Sequence, residues 1–281
     1  MNFVAADTLV EPTTVQLIVT DLDGTFLSPD GTVSDENAAA VSAAQAAGVP
    51  VLFATGRPVR WLDVVKDLPG AHPTVIASNG AVLYDLGGGQ LLDRICIDTG
   101  VALEAVRSIR AAVPGTSFAF ESGTRFGHEP GYRTWAKDGT ADPALFQGPA
   151  EEIAHSCDFV KLLVQSTDVP ADDLLHRVRG CVGSALTATH SAAQGFGLVE
   201  ISAPGVSKAS MLKRCCHRLG INQDQVAAFG DMPNDIEMLS WVGRPHVVAN
   251  AHQALLQGDY RVVGGNAESG VGRAILGLIG R

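Results

Sequence analysis

The feature that most constrains this chain is a repeated arrangement. Short apolar, β-branched runs each end in a cluster of carboxylate, hydroxyl, amide or glycine residues. Residues 15–20 (VQLIVT) run into Asp21-Leu22-Asp23-Gly24-Thr25, residues 49–54 into Thr55-Gly56-Arg57-Pro58, and residues 73–77 into Ser78-Asn79-Gly80. Continuous apolar runs of this length read as strands buried on both faces, the environment of a parallel sheet. Helical stretches separate them. Ser34 is a good N-cap, with Asp35 and Glu36 in the first turn of an Ala-rich stretch that ends at Gly48, and residues 59–68 read as the next helix. The alternation predicts an α/β fold built on a doubly wound, Rossmann-like parallel sheet, whose ligands sit beyond the carboxyl ends of the strands.

The alternation returns near the C-terminus. Residues 198–202 read as a strand, 208–219 as a helix closed by Gly220, and 225–229 as a strand ending at Gly230-Asp231; residues 235–242, 245–249 and 271–279 continue the pattern. Between these halves the chain changes character. Residues 85–90 are a Gly-rich turn, 118–139 mix glycine, aromatic and charged residues, and 159–165 form another strand. We therefore read residues 1–84 and 195–281 as one core and 85–194 as a second, α+β unit inserted into it.

Composition excludes several roles. A net charge of −10, with Lys and Arg scattered, gives no basic face for nucleic acid or an anionic membrane. A phosphate-bearing ligand would have to be drawn in locally, by a metal or a few placed cations. The five cysteines form no CxxC pair, which argues against a disulfide framework or zinc site and for a reducing compartment. No apolar run approaches the ~18 residues of a membrane span, and the first fourteen residues lack the pattern of a secretory signal. The expected location is cytoplasmic.

Four groups carry the chemistry. Asp21 and Asp23, two residues apart at a strand end, can divide the work of nucleophile and proton carrier. Thr55 and Gly56 offer a hydroxyl and a close-approaching backbone N–H, as phosphate cradles do. Lys208 opens a helix, where the dipole disfavours a cation, so an anion is its better explanation. At ~4 Å and an effective dielectric of ~20, that charge is worth ~4 kcal/mol to a phosphate. Gly230-Asp231-Met232-Pro233-Asn234-Asp235 brings two further carboxylates and an amide, hard oxygen ligands of the kind Mg²⁺ takes. Each group has a plain reading as a cap or turn. Their order, each at a strand end or helix start, leaves that reading little room.

With these residues in view, the chain resembles the haloacid dehalogenase superfamily, in particular its Cof-like phosphatases with a large α/β cap. DLDGT at Asp21, ATGR at Ala54, SNGA at Ser78, EISAPGVSK ending at Lys208 and GDMPND at Gly230 carry the resemblance along nearly the whole chain. It implies that Asp21 is the nucleophile and Asp23 the general acid/base. It implies Mg²⁺ held by Asp21, the Asp23 main-chain carbonyl and Asp231, with Asp235 in support. Phosphate contacts would come from the backbone at Leu22, from Thr55, Gly56 and Lys208, and from Asn234. Arg57 and Asn79 would sit at the rim facing the cap. Ala209 stands where the family often has Gly, and Asn266 with Gly270 matches a late family pattern loosely. The retained Asp23 favours phosphoryl chemistry over dehalogenation.

The expected reaction is Mg²⁺-dependent hydrolysis of a small phosphorylated metabolite, sugar phosphates first and FMN or pyridoxal phosphate second. A phosphomutase on the same scaffold and a non-catalytic phosphometabolite-binding regulator are the alternatives. From the cluster Glu121, Arg125, His128, Tyr132, Arg133, Trp135 and Lys137 the cap is expected to draw its substrate readers, about half of such residues being solvated loop face instead. Trp61 reads as packing, and Lys161 equally as a cap lysine of the family or a snorkelling surface residue.

Overall fold

The computed structural model describes residues 14–134, 145–190 and 197–280. Among them, the first strands are β1 (Leu17–Thr20), β2 (Val51–Ala54), β3 (Ala71–Ala77), β4 (Val82–Asp85) and β5 (Gln90–Arg94). Then follow β6 (Ser117–Glu121), β7 (Phe126–His128), β8 (Leu145–Gln147), β9 (Lys161–Ser166), β10 (Thr187–Thr189) and β11 (Gly197–Ser202). The last three are β12 (Val226–Gly230), β13 (Arg244–Val248) and β14 (Arg261–Val263). The principal helices are α1 (Asp35–Ala46), α2 (Asp63–Lys66), α3 (Thr99–Ala112), α4 (Ala150–Ser156), α5 (Ala171–Val182) and α6 (Lys208–Leu219), followed by α7 (Ile236–Trp241), α8 (Gln253–Leu256) and α9 (Gly270–Leu278).

The first sheet runs β14-β13-β12-β1-β2-β3-β4-β5. It is parallel from β14 to β3 and antiparallel from there to β5. Every residue of β1, β2 and β12 is buried, as their unbroken apolar runs predict. From β1 the chain winds outward through β2 and β3, and later in the other direction through β12, β13 and β14. β1 is therefore the switch point, and the crevice at its carboxyl end is where such sheets bind ligands.

The second sheet runs β10-β11-β9-β6-β7-β8 and is antiparallel except for the β7–β8 pair. Its two faces differ. Phe118, Phe120, Leu162, Val164, Val199 and Ile201 join the main apolar cluster with residues of α3 and α5. The opposite face holds a small separate cluster of Ala119, Phe126 and Tyr132, with Leu163 and Leu198 against it. The register places Glu121 opposite Lys161 and Leu163 opposite Glu200, so three charged residues share this second face.

Three expectations need correction. The helix expected over 59–68 is a short 3₁₀ turn, Val59–Trp61, followed by the single turn α2. Its three valines and a tryptophan lose side-chain freedom in a helix and give little local support for a longer one. By sheet membership, the first boundary lies beyond 84/85. The glycine turn after Asp85 closes a hairpin, so β5 returns beside β4 in the first sheet. Residues 198–202, expected in the core, form β11 of the second sheet, antiparallel between β9 and β10. An apolar run specifies a strand but not the sheet that receives it.

Candidate active site

The site grows from the end of β1. The Asp21 amide donates to the Phe229 carbonyl of β12 at 3.0 Å, which fixes the residue at the switch point. The chain then turns at Gly24, whose φ is +78°; a Cβ there would lie 2.3 Å from Asp231 Oδ2. Glycine thus lets the loops after β1 and β12 approach closely. Across that gap the Thr25 hydroxyl donates to Asp231 Oδ1 at 2.9 Å. Asp235 Oδ2 accepts from the amides of Asp231 and Met232, each at 3.1 Å, and holds the loop in shape.

Lys208 enters from the first turn of α6. Ser207 caps that helix, accepting from the Ser210 amide. The helix start is seated against Gly80, where a Cβ would fall 2.1 Å from the Ser207 carbonyl oxygen. The wholly buried Lys208 ammonium lies 2.5 Å from Asp21 Oδ1 and 2.7 Å from Asp235 Oδ1. The cation that the helix dipole disfavours is thus held by two carboxylates.

Charge in this cluster does not balance. Carboxylate oxygens of Asp21, Asp231 and Asp235 lie within 4.8 Å of one another, with one ammonium among them. Burial would lower Lys208, but Asp21 and Asp235 outweigh it and hold the ammonium well above its ordinary value. Burial pushes Asp21 well above the usual carboxylate range; Lys208 opposes this, and Asp235 and Asp231 add to it. Lys208 thus favours the ionised form of Asp21, but burial is the larger influence. Asp231 is pushed up to about 7, by burial first and Asp235 second, against the Thr25 hydrogen bond. A divalent cation would supply the two positive charges the cluster lacks, and hard carboxylate oxygens suit Mg²⁺. Both Asp235 oxygens are engaged by Lys208 and backbone amides, which leaves Asp21 and Asp231 as the carboxylates to hold it.

The remaining expected residues ring this cluster. Asp23 is half exposed, and Arg57 grips its carboxylate with both arms of the guanidinium, Nε to Oδ2 at 2.7 Å and Nη2 to Oδ1 at 2.6 Å. Arg57, expected at the rim toward the cap, is instead turned onto Asp23. Leu22 is buried beneath the loop. The Thr55 hydroxyl accepts from the Arg57 amide at 3.0 Å, and the Gly56 carbonyl accepts from Lys161 at 2.8 Å. Asn79 does face the second sheet: its Nδ2 donates to Glu200 Oε2 at 2.5 Å, while its Oδ1 accepts from Asn234 at 2.9 Å. Asn250 and Asn266 brace the loop after β1 from behind, donating to the carbonyls of Gly24 and Leu27.

Lys161 is buried, not a surface lysine, and two functional neighbours escaped the sequence reading. Glu200 bonds both Lys161 and Asn79, and Arg60 pairs with Glu121. Glu200, like Lys161, stands as a charge inside an apolar run, Val199-Glu200-Ile201 and Val160-Lys161-Leu162; Arg60, in the short turn Val59–Trp61, gives no such signal. Of the expected substrate readers, Glu121 and Tyr132 are buried on the face opposite the core, and Arg125 stacks over Phe146 at 5.1 Å. His128 bonds the Glu129 carbonyl, and the Arg133 amide donates to Gln165. Trp61 lies under the Arg60 guanidinium at 5.2 Å. Trp135 and Lys137 lie outside the described residues.

Comparison with known proteins points the same way. A family model of haloacid dehalogenase-like hydrolases matches residues 18–275. The 5-amino-6-(5-phospho-D-ribitylamino)uracil phosphatase of Bacillus subtilis is 25% identical over 267 residues, covering 94% of this chain and 96% of its own. The HMP-PP phosphatase of Serratia proteamaculans is 28% identical over 253 residues, covering 84% of each chain. In fold, a solved phosphatase of the haloalkanoate superfamily from Bacteroides thetaiotaomicron aligns with a TM-score of 0.78 at 21% identity, covering 99% of both chains. No helix among the described residues is long and apolar enough to cross a membrane.

Proposed function

The chain belongs to the haloacid dehalogenase-like hydrolases and is a phosphoric monoester hydrolase, and from that premise we propose that it cleaves small phosphorylated metabolites through a phospho-aspartate at Asp21. The observation that carries this reading is the unbalanced cluster at the switch point, where Asp21, Asp231 and Asp235 lie together and only one ammonium, Lys208, pairs with two of them. Mg²⁺, held by Asp21, Asp231 and the Asp23 main-chain carbonyl, would offset the charge of the phosphate and of the carboxylates around it.

Lys208 occupies Asp21 Oδ1, which fixes the rotamer of the nucleophile. An Asp21 oxygen attacks phosphorus as the bond to the leaving oxygen breaks. Asp23 donates a proton to that oxygen, then takes one from the water that hydrolyses the phospho-enzyme. For either transfer Arg57 must release at least one of the two Asp23 oxygens it binds. Leu22 (through its backbone), Thr55, Gly56, Lys208 and Asn234 hold the phosphate.

Sugar phosphates are the favoured substrates, with FMN and pyridoxal phosphate next. The support is chemical: Glu121, Asn79 and Asn234 give the wall between the two sheets hydrogen-bonding groups, which suits a hydroxylated leaving group. The Bacillus subtilis relative acts on a phosphorylated ribityl compound by its name. Glu121, Tyr132 and Arg133 of the inserted unit then set specificity, so substitutions at these positions should redistribute activity among substrates.

The test has two parts. Hydrolysis of nitrophenyl phosphate with Mg²⁺, followed by a panel of phosphorylated metabolites, establishes the reaction and ranks substrates. Rapid-quench mass spectrometry then locates the phosphoryl adduct, expected on the peptide carrying Asp21. An adduct on a serine or histidine, or full turnover after exhaustive chelation, would overturn the reading.

A further inference from the structure

A second buried charge group lies outside the chemistry described so far. Lys161 of β9 and Glu200 of β11 project from the sheet face opposite the helices, with side chains only 3% and 8% exposed. Glu200 Oε1 accepts from Lys161 at 3.0 Å and Oε2 from Asn79 at 2.5 Å, so both its oxygens are engaged. Lys161 also donates to the Gly56 carbonyl at 2.8 Å. Asn79 in turn is held by Asn234 through its side chain and by the Thr55 carbonyl through its amide. One pair of cap residues thereby ties together the loops after β2, β3 and β12.

The bond to Gly56 matters most. That carbonyl belongs to the same peptide unit as the Arg57 N–H, which donates to the Thr55 hydroxyl oxygen at 3.0 Å. A peptide carbonyl that accepts from an ammonium becomes a stronger N–H donor at its other end. The amide occupies a lone pair of Thr55 Oγ1 and leaves its O–H to point elsewhere. On the Asn79 side, Ser78 and Asn79 both adopt positive φ, +51° and +56°, a conformation non-glycine residues keep only where the surroundings impose it. A buried ion pair of this kind contributes little to stability compared with an apolar pair of the same size, so stability does not account for it.

We propose that Lys161 and Glu200 are positioning residues: seated on the core, they clamp the Gly56–Arg57 peptide and aim the Thr55 hydroxyl and Gly56 amide at the phosphate. The phosphate cradle is complete only when the cap sheet is in place. This rests on the reading of Thr55 and Gly56 as phosphate contacts.

The test compares Lys161→Met, Glu200→Gln and the Lys161→Met/Glu200→Met double variant with the wild type, on nitrophenyl phosphate and on an alkyl phosphate. Loss of a partner that orients a site group typically costs ~10–100-fold, and that loss is expected in kcat, alike for both leaving groups, while KM moves far less. The double variant removes both charges of the pair and leaves neither buried alone, so it should stay close to the wild-type Tm and remains informative if a single variant unfolds. In a Thr55→Val background, Lys161→Met should cost little more, because the two act as one unit. Full activity of Thr55→Val would remove the cradle reading on which the proposal rests. If Thr55→Val is impaired but Lys161→Met retains wild-type kcat, the cradle stands and the clamp is wrong. A loss in KM alone, a loss confined to one leaving group, or full additivity with Thr55→Val would also overturn the clamp.

Discussion

Two buried charge groups lie under the same cleft, and they are built oppositely. In the first, the single ammonium of Lys208 pairs with Asp21 and Asp235, and Asp231 lies beside them with the Thr25 hydroxyl as its donor. Burial and mutual repulsion push Asp21 and Asp231 upward, and the cluster carries surplus negative charge that a cation would offset. In the second, Lys161 and Glu200 balance each other, and both Glu200 oxygens have donors. Surplus charge marks a place that binds something from outside. A balanced buried pair is complete and can only hold other parts of the protein in position. On the proposed mechanism the contrast separates residues that do chemistry from residues that aim them, and each variant below presses on one side of it.

The largest effect belongs to Asp21. Asp21→Asn should abolish both steady turnover and the phosphoryl adduct, since an amide is a feeble nucleophile. Near-normal turnover by this variant would place the nucleophile elsewhere and dissolve the special status of the first cluster.

Lys208 comes next, and here the two clusters should diverge in stability. Lys208→Met leaves carboxylates buried with no counter-charge, so unfolding experiments in urea should show a loss of about 3–5 kcal/mol in the absence of metal. Saturating Mg²⁺ should recover part of it, because the cation binds the folded state. The apolar Lys161→Met/Glu200→Met pair should lose little or nothing. Equal losses from the two would mean the clusters do not differ in kind.

Asp23→Asn is expected to sit lower on the scale. General acid–base help is typically worth ~10²–10⁴-fold, so the variant should lose activity in that range, more with an alkyl than with a nitrophenyl leaving group. The adduct on Asp21 should still form with the aryl ester and then persist. Indifference of the loss to leaving-group pKa would remove Asp23 as proton carrier.

The smallest effect concerns Glu121, the paired carboxylate of the cap face. Burial holds it above the usual glutamate range against the pull of Arg60. The folded protein therefore keeps a proton here at a pH where the unfolded chain has released it. This group thus weakens the fold as pH rises from the ordinary glutamate range through the raised one. Glu121→Gln should flatten that slope, narrowing the Tm difference between about pH 5 and pH 8 by a few degrees at most. A steeper slope in the variant would mean that Arg60, not burial, governs Glu121.

The residues to which we assign the chemistry were legible in the sequence because each stands where local structure ends. Asp21, Thr55, Asn79 and Asp231 follow apolar strands, and Lys208 opens a helix that would otherwise avoid it. The residues that aim them were not legible in the same way. Glu200 and Lys161 lie inside apolar runs, and a charge in a strand announces only that its side chain has found a partner. The Arg57 fork on Asp23 and the Arg60 pair with Glu121 join residues 34 and 61 positions apart, beyond the reach of any local pattern.

The sequence by itself determined the parallel core, the order of its loops and the set of groups that meet at the switch point. Burial on both faces demands unbroken apolar strands, and a doubly wound sheet brings their carboxyl ends to one edge. Only the tertiary structure decided which sheet received residues 197–202, and that Gly24 and Gly80 are what let Asp231 and Lys208 close upon Asp21. It alone fixed the charge balance of each cluster. The physical reason is common to all three: strand pairing, close approach and electrostatic balance are sums over residues distant in the chain, and a local pattern carries one member of each sum at a time.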